Sequence, residues 1–197
     1  MTEKKSFHER LDEVYCEDRA SWRAWLEENH EDQEGVWLVY WKVATKKPSI
    51  RWEDAVREAL CFGWIDSTVK PIDDARHRQV FSPRKKKSVW SAVNKAYVEE
   101  LEADGLMTRA GRAVIDTAKA NGSWNLLDDV EALVIPQELE DALRTESDAL
   151  FEVFDGLVKS KKKQALYRLF LAKREPTRLK RIAEIVEQCR ELLPDAT

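Results

Sequence analysis

The sequence predicts an α+β fold: a small, mainly antiparallel sheet packed with helices in the N-terminal half, then a helical C-terminal half. Three observations predict it. An aromatic and β-branched run, VWLVYWKV, follows Gly35; two segments of period-two character flank turn residues at 71–74; and from Ser88 onward apolar residues recur at three- and four-residue spacing. The expected division is an α/β part at 1–87 with a three-stranded sheet, and a helical part at 88–197 packed with it as one unit.

The first element is signalled by Ser6-x-x-Glu9, a capping-box pattern. Phe7, Leu11, Val14, Tyr15, Trp22, Trp25 and Leu26 then follow at helical spacing, predicting one long amphipathic helix or two abutting ones to about Asn29. A buried strand is expected over 36–43, then a turn containing Pro48, then a helix over 52–61 whose inner face carries Ala55, Val56, Ala59 and Leu60. Gly63 breaks that helix. WIDSTVK alternates, placing Trp64, Asp66, Thr68 and Lys70 on one face, and residues 76–82 return as the second strand of a hairpin stopped by Pro83.

In the C-terminal half, Ser88 or Ser91 caps a helix closed by Gly105, and Thr108 caps another ended by Gly122. An extended piece is expected at 132–135. Pro136, Ser147, Ser160 and Pro176 mark four further helix starts, the last with an inner stripe of Leu179, Ile182, Val186, Cys189 and Leu193.

Charge is segregated within a chain of 197 residues and formal net charge −4. Between Ala75 and Val98 there are seven Lys or Arg and no acid; from Glu99 to Asp155 there are fifteen acids and four bases; from Lys159 to Ile182 there are ten bases and one acid. Such blocks solvate helix faces and attract one another, or form a polyanion groove from the two basic segments. Three widely spaced cysteines, Cys16, Cys61 and Cys189, with no C-x-x-C pair, suggest buried free thiols and neither a disulfide framework nor a zinc site. No apolar run approaches a membrane span, so a cytoplasmic location is expected without membrane insertion.

The stretch 61–94 concentrates the groups capable of chemistry. Asp66 on a strand face with Trp64 needs a cation or several donors, which Arg76, Arg78 or Arg84 supplies, either as a structural ion pair or as a pocket. Asp73 and Asp74 read as turn residues rather than hard-cation ligands. His77 stands alone. PRKKKSVW is the best anion-binding segment: Arg84 offers a planar fork, Lys85, Lys86 and Lys87 mobile charge, and the next helix its unpaired N–H donors, with Trp90 and Asn94 expected four apart on its first turns. No P-loop, G-x-G-x-x-G, H-E-x-x-H or nucleic-acid-binding signature is present.

EALCFGWIDS, KPIDD, F-S-P-R, S-V-W-S-A-V-N-K and GLMTRAG, continuing through AKANGSW, VIPQELEDAL and SKKKQALYRLFLAKREPTRLKRI, resemble the bacterial YdeI/OmpD-associated family, also called bacteriocin-protection proteins. The resemblance begins near WRAWLEENH and extends over nearly the whole chain. The family's usual ending reads K-R-P-E-T-R, whereas here Glu175 precedes Pro176, which bears on the start of the last helix. The resemblance implies a small cytoplasmic α+β protein associated with resistance to bacteriocins or antimicrobial peptides. It brings no catalytic residues, cofactor or metal.

Three functions are expected in descending order. The first is a stress- or defence-associated protein binding a small anionic ligand, Arg84 holding the anion, Trp64 and Trp90 walling the pocket, Asp66 and Asn94 fixing orientation. The second is an enzyme acting on a small anionic metabolite, with Asp66 as acid or base. The third is nucleic-acid binding through basic segments 76–95 and 159–181.

Overall fold

Four strands form one sheet in the order β1-β2-β4-β3, in the computed structural model, which describes residues 5–193. β1 (Glu13–Tyr15) runs parallel to β2 (Val36–Trp41), and β4 (Arg76–Pro83) pairs antiparallel with both β2 and β3 (Trp64–Pro71). The class is α+β as expected, with one strand more than the three anticipated.

The additional strand lies where a long helix was expected. A short α1 (Phe7–Arg10), held by the Ser6–Glu9 capping box, ends at Leu11; β1 follows, and α2 (Arg19–Asn29) starts afresh. Asp18 is the reason. Its extended backbone cannot continue a helix, and its carboxylate accepts from the Ser21 amide at 2.8 Å, satisfying an orphan donor of α2. Glu13, Val14 and Tyr15 pair with Trp37, Leu38 and Val39 in the sheet instead.

α3 (Trp52–Cys61) lies against α2 and β3, burying Ala55, Val56, Ala59 and Leu60, the face read from the sequence. It ends at Gly63, whose φ of +74° is a left-handed conformation suited to glycine. α4 (Ala92–Ala103) and α5 (Arg109–Ala120) also pack on α3, and their caps are Ser91 and Thr108. Thr108 accepts from Gly111 N at 3.3 Å while its hydroxyl donates to Cys61 O at 2.5 Å, tying α5 to the end of α3. Thr108→Ala loses both bonds; we expect a stability loss of about 1–2 kcal/mol, read as a lower denaturation midpoint at unchanged m-value.

Contacts divide the chain into Met1–Asn125 and Leu126–Thr197, so α4 and α5 belong with the sheet and the division falls later than residue 87. The second unit holds α6 (Asp128–Glu131), α7 (Gln137–Glu146), α8 (Asp148–Asp155), α9 (Lys159–Leu171) and α10 (Glu175–Glu191). Leu139, Leu143, Leu150, Phe154, Leu166, Leu169, Ile182, Ile185 and Cys189 are buried in it. Residues 132–135, expected to be extended, instead close α6 through a turn with Leu133 at φ +58°. Pro176 sits in the first turn of α10, where its missing N–H costs nothing. Leu179, assigned to the inner stripe of α10, is 59% exposed.

Many basic side chains of this unit find partners inside it. Arg168 and Arg181 share Glu184 at 2.8 and 2.6 Å, Arg178 pairs with Glu138, and the buried Lys162 reaches Asp155 at 2.7 Å. Mutual attraction of the charge blocks is thus visible within residues 126–193.

Candidate functional site

The helix-covered face of the sheet is fixed by register. Residues directly opposite one another share a face, so Asp66 opposite Phe81, and Trp64 opposite Pro83, lie on the same side as Leu38, Tyr40 and Gln79. A register shift between Asp66 and Val69 then turns the strand over. Lys70, opposite Arg78, therefore faces the other side, contrary to the strict alternation expected from the sequence. The bulge removes a cation from beside Asp66.

Asp66 is half-buried and held by neutral donors. Gln79 Nε2 donates to its Oδ2 at 2.6 Å, and the Trp52 indole N–H, from the first residue of α3, donates to the same oxygen at 3.2 Å. Two nearby groups feel its charge. Burial pushes the Tyr40 phenol up and the Asp66 carboxylate adds to that rise. Burial brings the Arg84 guanidinium down to about 10, and Asp66 opposes that fall.

Arg84 follows the end of β4, its amide donating to Gly63 O at 2.9 Å. The side chain is 7% exposed and lies over the Trp90 ring, Cζ 3.6 Å from the centroid. Nη1 donates to Val89 O at 3.1 Å; Nε and Nη2 are buried and without a hydrogen-bond partner among the described residues. A guanidinium has five N–H donors and no means of becoming neutral cheaply, so such donors are costly when left unmade. Tyr40 Oη and Ser123 Oγ share this condition. Ser123 precedes Trp124, whose ring lies 4.9 Å from that of Trp90.

The five residues expected to form the site are placed as follows. Asp66 and Arg84 are brought within electrostatic reach of each other. Trp64 and Trp90 are each 1% exposed. Trp64 is a core residue, its N–H donating to His30 O at 3.2 Å and its ring edge-on to Trp25; Trp90 contributes a ring face to Arg84. Asn94 and Trp90 do not share the first turns of a helix, because α4 begins at Ala92 and Trp90 precedes its cap; Asn94 is half-buried, its amide bonded to Ser91 Oγ at 3.3 Å. Lys85, Lys86 and Lys87 are exposed, and Asn121 anchors their loop through Lys86 O at 2.6 Å.

The sequence reading missed Tyr40, Trp52, Gln79 and Ser123. Tyr40 carried a usable signal: it alternates with Val36 and Leu38 on the buried face, where its hydroxyl must find a partner. Gln79 was legible only once the hairpin register was known. Of the other titratable groups, Asp73 closes the β3–β4 turn by accepting from the Ala75 and Arg76 amides at 2.9 and 2.7 Å, which is the turn role expected of it. All three cysteines are buried and free. No metal-holding group of three or more His, Cys, Asp or Glu occurs among the described residues, and no described helix is long and apolar enough to cross a membrane.

Fold and site together define a two-unit α+β protein with an under-satisfied arginine at the end of its central hairpin. The chain belongs to the family described as Domain of unknown function (DUF8412), which matches residues 14–114. Residues 132–191 match the family described as Bacteriocin-protection, YdeI or OmpD-Associated. The YdeI/OmpD-associated match thus covers part of the second unit rather than nearly the whole length, and the motifs at 61–94 fall within the residues matched by the other family. Comparisons with curated proteins and with solved structures give no match.

Proposed function

We propose that this chain is a cytoplasmic, stress- or defence-associated protein of bacteriocin-protection type that binds a small anionic ligand at Arg84. The observation that carries the reading is the buried Arg84 guanidinium with two N–H groups lacking acceptors. A planar anion such as a carboxylate, or one face of a phosphate, accepts two parallel N–H bonds of this kind. Trp90 holds the guanidinium plane, and Asp66, itself fixed by Gln79 and Trp52, favours its charged form against the effect of burial. Three buried free thiols suit a reducing compartment.

The test is calorimetric titration with inorganic phosphate and with malonate. Saturable binding of either to the wild-type chain is expected, with loss of about tenfold or more in affinity in Arg84→Lys, which keeps the charge but not the fork. Asp66→Asn is expected to weaken binding less. Absence of binding to the wild type, or equal binding by Arg84→Lys, overturns the reading.

A further inference from the structure

The opposite face of the same sheet carries a different chemistry. Trp41 lies opposite Arg76, Val39 opposite Arg78, and Arg78 opposite Lys70, so three strands contribute side chains to this one face. The Arg78 guanidinium carbon is 4.4 Å from the Trp37 ring centroid and that of Arg76 5.2 Å from Trp41; Lys47, from the loop after β2, brings its ammonium to 3.8 Å from Trp41. The bulge in β3 that removes Lys70 from Asp66 delivers it here, 5.8 Å from Trp37.

The two arginines are steered by acids, Arg76 by Asp73 at 2.7 Å and Arg78 by Glu13. The two lysines are exposed and have no carboxylate within ion-pair distance among the described residues. Lys42 and Lys46 extend the positive edge, and the Lys42 amide joins this loop to the β3–β4 turn through Ala75 O at 2.9 Å. A cavity of about 790 Å³ continues the face at α1, lined by Trp37 and by the cations Lys5, Lys70 and Arg78 together with the carboxylates Glu9 and Glu13.

We propose that this face binds single-stranded nucleic acid. Its charge is opposite to the formal −4 of the chain, and an open sheet face that sets cations beside the half-buried Trp41, while the buried Trp37 supports Arg78 from below, suits a strand whose bases are unstacked. Phosphates lie against Lys47 and Lys70, and a base takes the place of the exposed Lys47 side chain on the half-buried Trp41. A membrane surface is a poorer fit, since the exposed apolar groups here are few among the described residues, chiefly Val43, 95% exposed, and Tyr15, 40% exposed.

The test is fluorescence anisotropy with a short labelled oligothymidine at several salt concentrations. Binding is expected at low salt and is expected to weaken steeply as salt rises. The double variant Lys47→Glu with Lys70→Glu should lose about tenfold or more, and Trp41→Ala about fivefold or more. Lys85→Glu with Lys87→Glu in the other basic loop should stay within about twofold of the wild type. Failure of the wild type to bind at low salt, a loss in the Lys85/Lys87 variant as large as in the Lys47/Lys70 variant, or preference for anionic vesicles over the oligonucleotide would each refute the assignment. The phosphate and malonate titration decides the anion site at Arg84 separately, whatever the outcome here.

Discussion

Gly111→Ala is expected to destabilise the first unit by about 3 kcal/mol, at the upper end of what overpacking costs. Gly111 lies in the first turn of α5, where the helix meets the end of α3. A methyl group there would stand 2.3 Å from Cys61 O and 2.6 Å from Met107 Sδ. The methionine can move aside; the carbonyl cannot, because it already accepts from the Thr108 amide at 3.2 Å and the Thr108 hydroxyl at 2.5 Å. Relief requires α5 to back away by roughly 1 Å, loosening its packing along α3. Alanine's better helix propensity returns about 1 kcal/mol, which the clash exceeds. Chemical denaturation followed by tryptophan fluorescence reads the effect. A midpoint equal to that of the wild type would mean that α5 does not approach α3 as closely as described.

Trp64→Ala carries the other large effect, about 3–5 kcal/mol, and it falls on stability. The ring is fully enclosed, edge-on to Trp25 at 5.9 Å, and its N–H satisfies His30 O at 3.2 Å. Removing it empties a volume that the surrounding α2 and α3 side chains cannot refill without strain, and strands a carbonyl. Trp64→Phe should cost less, about 1–2 kcal/mol, chiefly through that lost bond. Denaturation midpoints of both variants provide the check. A Trp64→Ala protein as stable as the wild type yet unable to bind phosphate would return Trp64 to the wall of a ligand site, which is the role its motif suggested.

That contrast shows what the sequence makes legible. Buried strands, helix caps and glycine stops are local, and they were readable: Ser91 and Thr108 accept the amides expected of them, and Gly63, Gly105 and Gly122 all take positive φ. Two features were hidden because non-local partners decide them. Residues 13–15 have helical periodicity, but pairing with β2 and the cap at Asp18 outweigh it. Alternation along WIDSTVK placed Asp66 and Lys70 together, whereas one register shift sends them to opposite faces.

The site was legible in part for the same reason. Clustering within 61–94 pointed to Asp66 and Arg84, and in the fold the Asp66 charge reaches Arg84, yet it could not separate a tryptophan that supports a guanidinium from one that fills a core. The groups that orient Asp66, Gln79 and Trp52, come from other turns of the chain and carry no motif. Tyr40 and Ser123 are notable through what their hydroxyls lack, which is a property of the folded surroundings alone.

The central claim is that Arg84 presents unused, buried donors to an anion, and its own side-chain N–H resonance tests this most directly. In an ¹⁵N-labelled sample, the Arg84 Nε–H signal, assigned by its absence from Arg84→Lys, should shift saturably as inorganic phosphate is added, while the Nε–H signals of Arg144 and Arg178, already donating to Glu140 and Glu138, remain in place. An Arg84 signal that does not move, or that moves only in parallel with those surface arginines, would contradict the account.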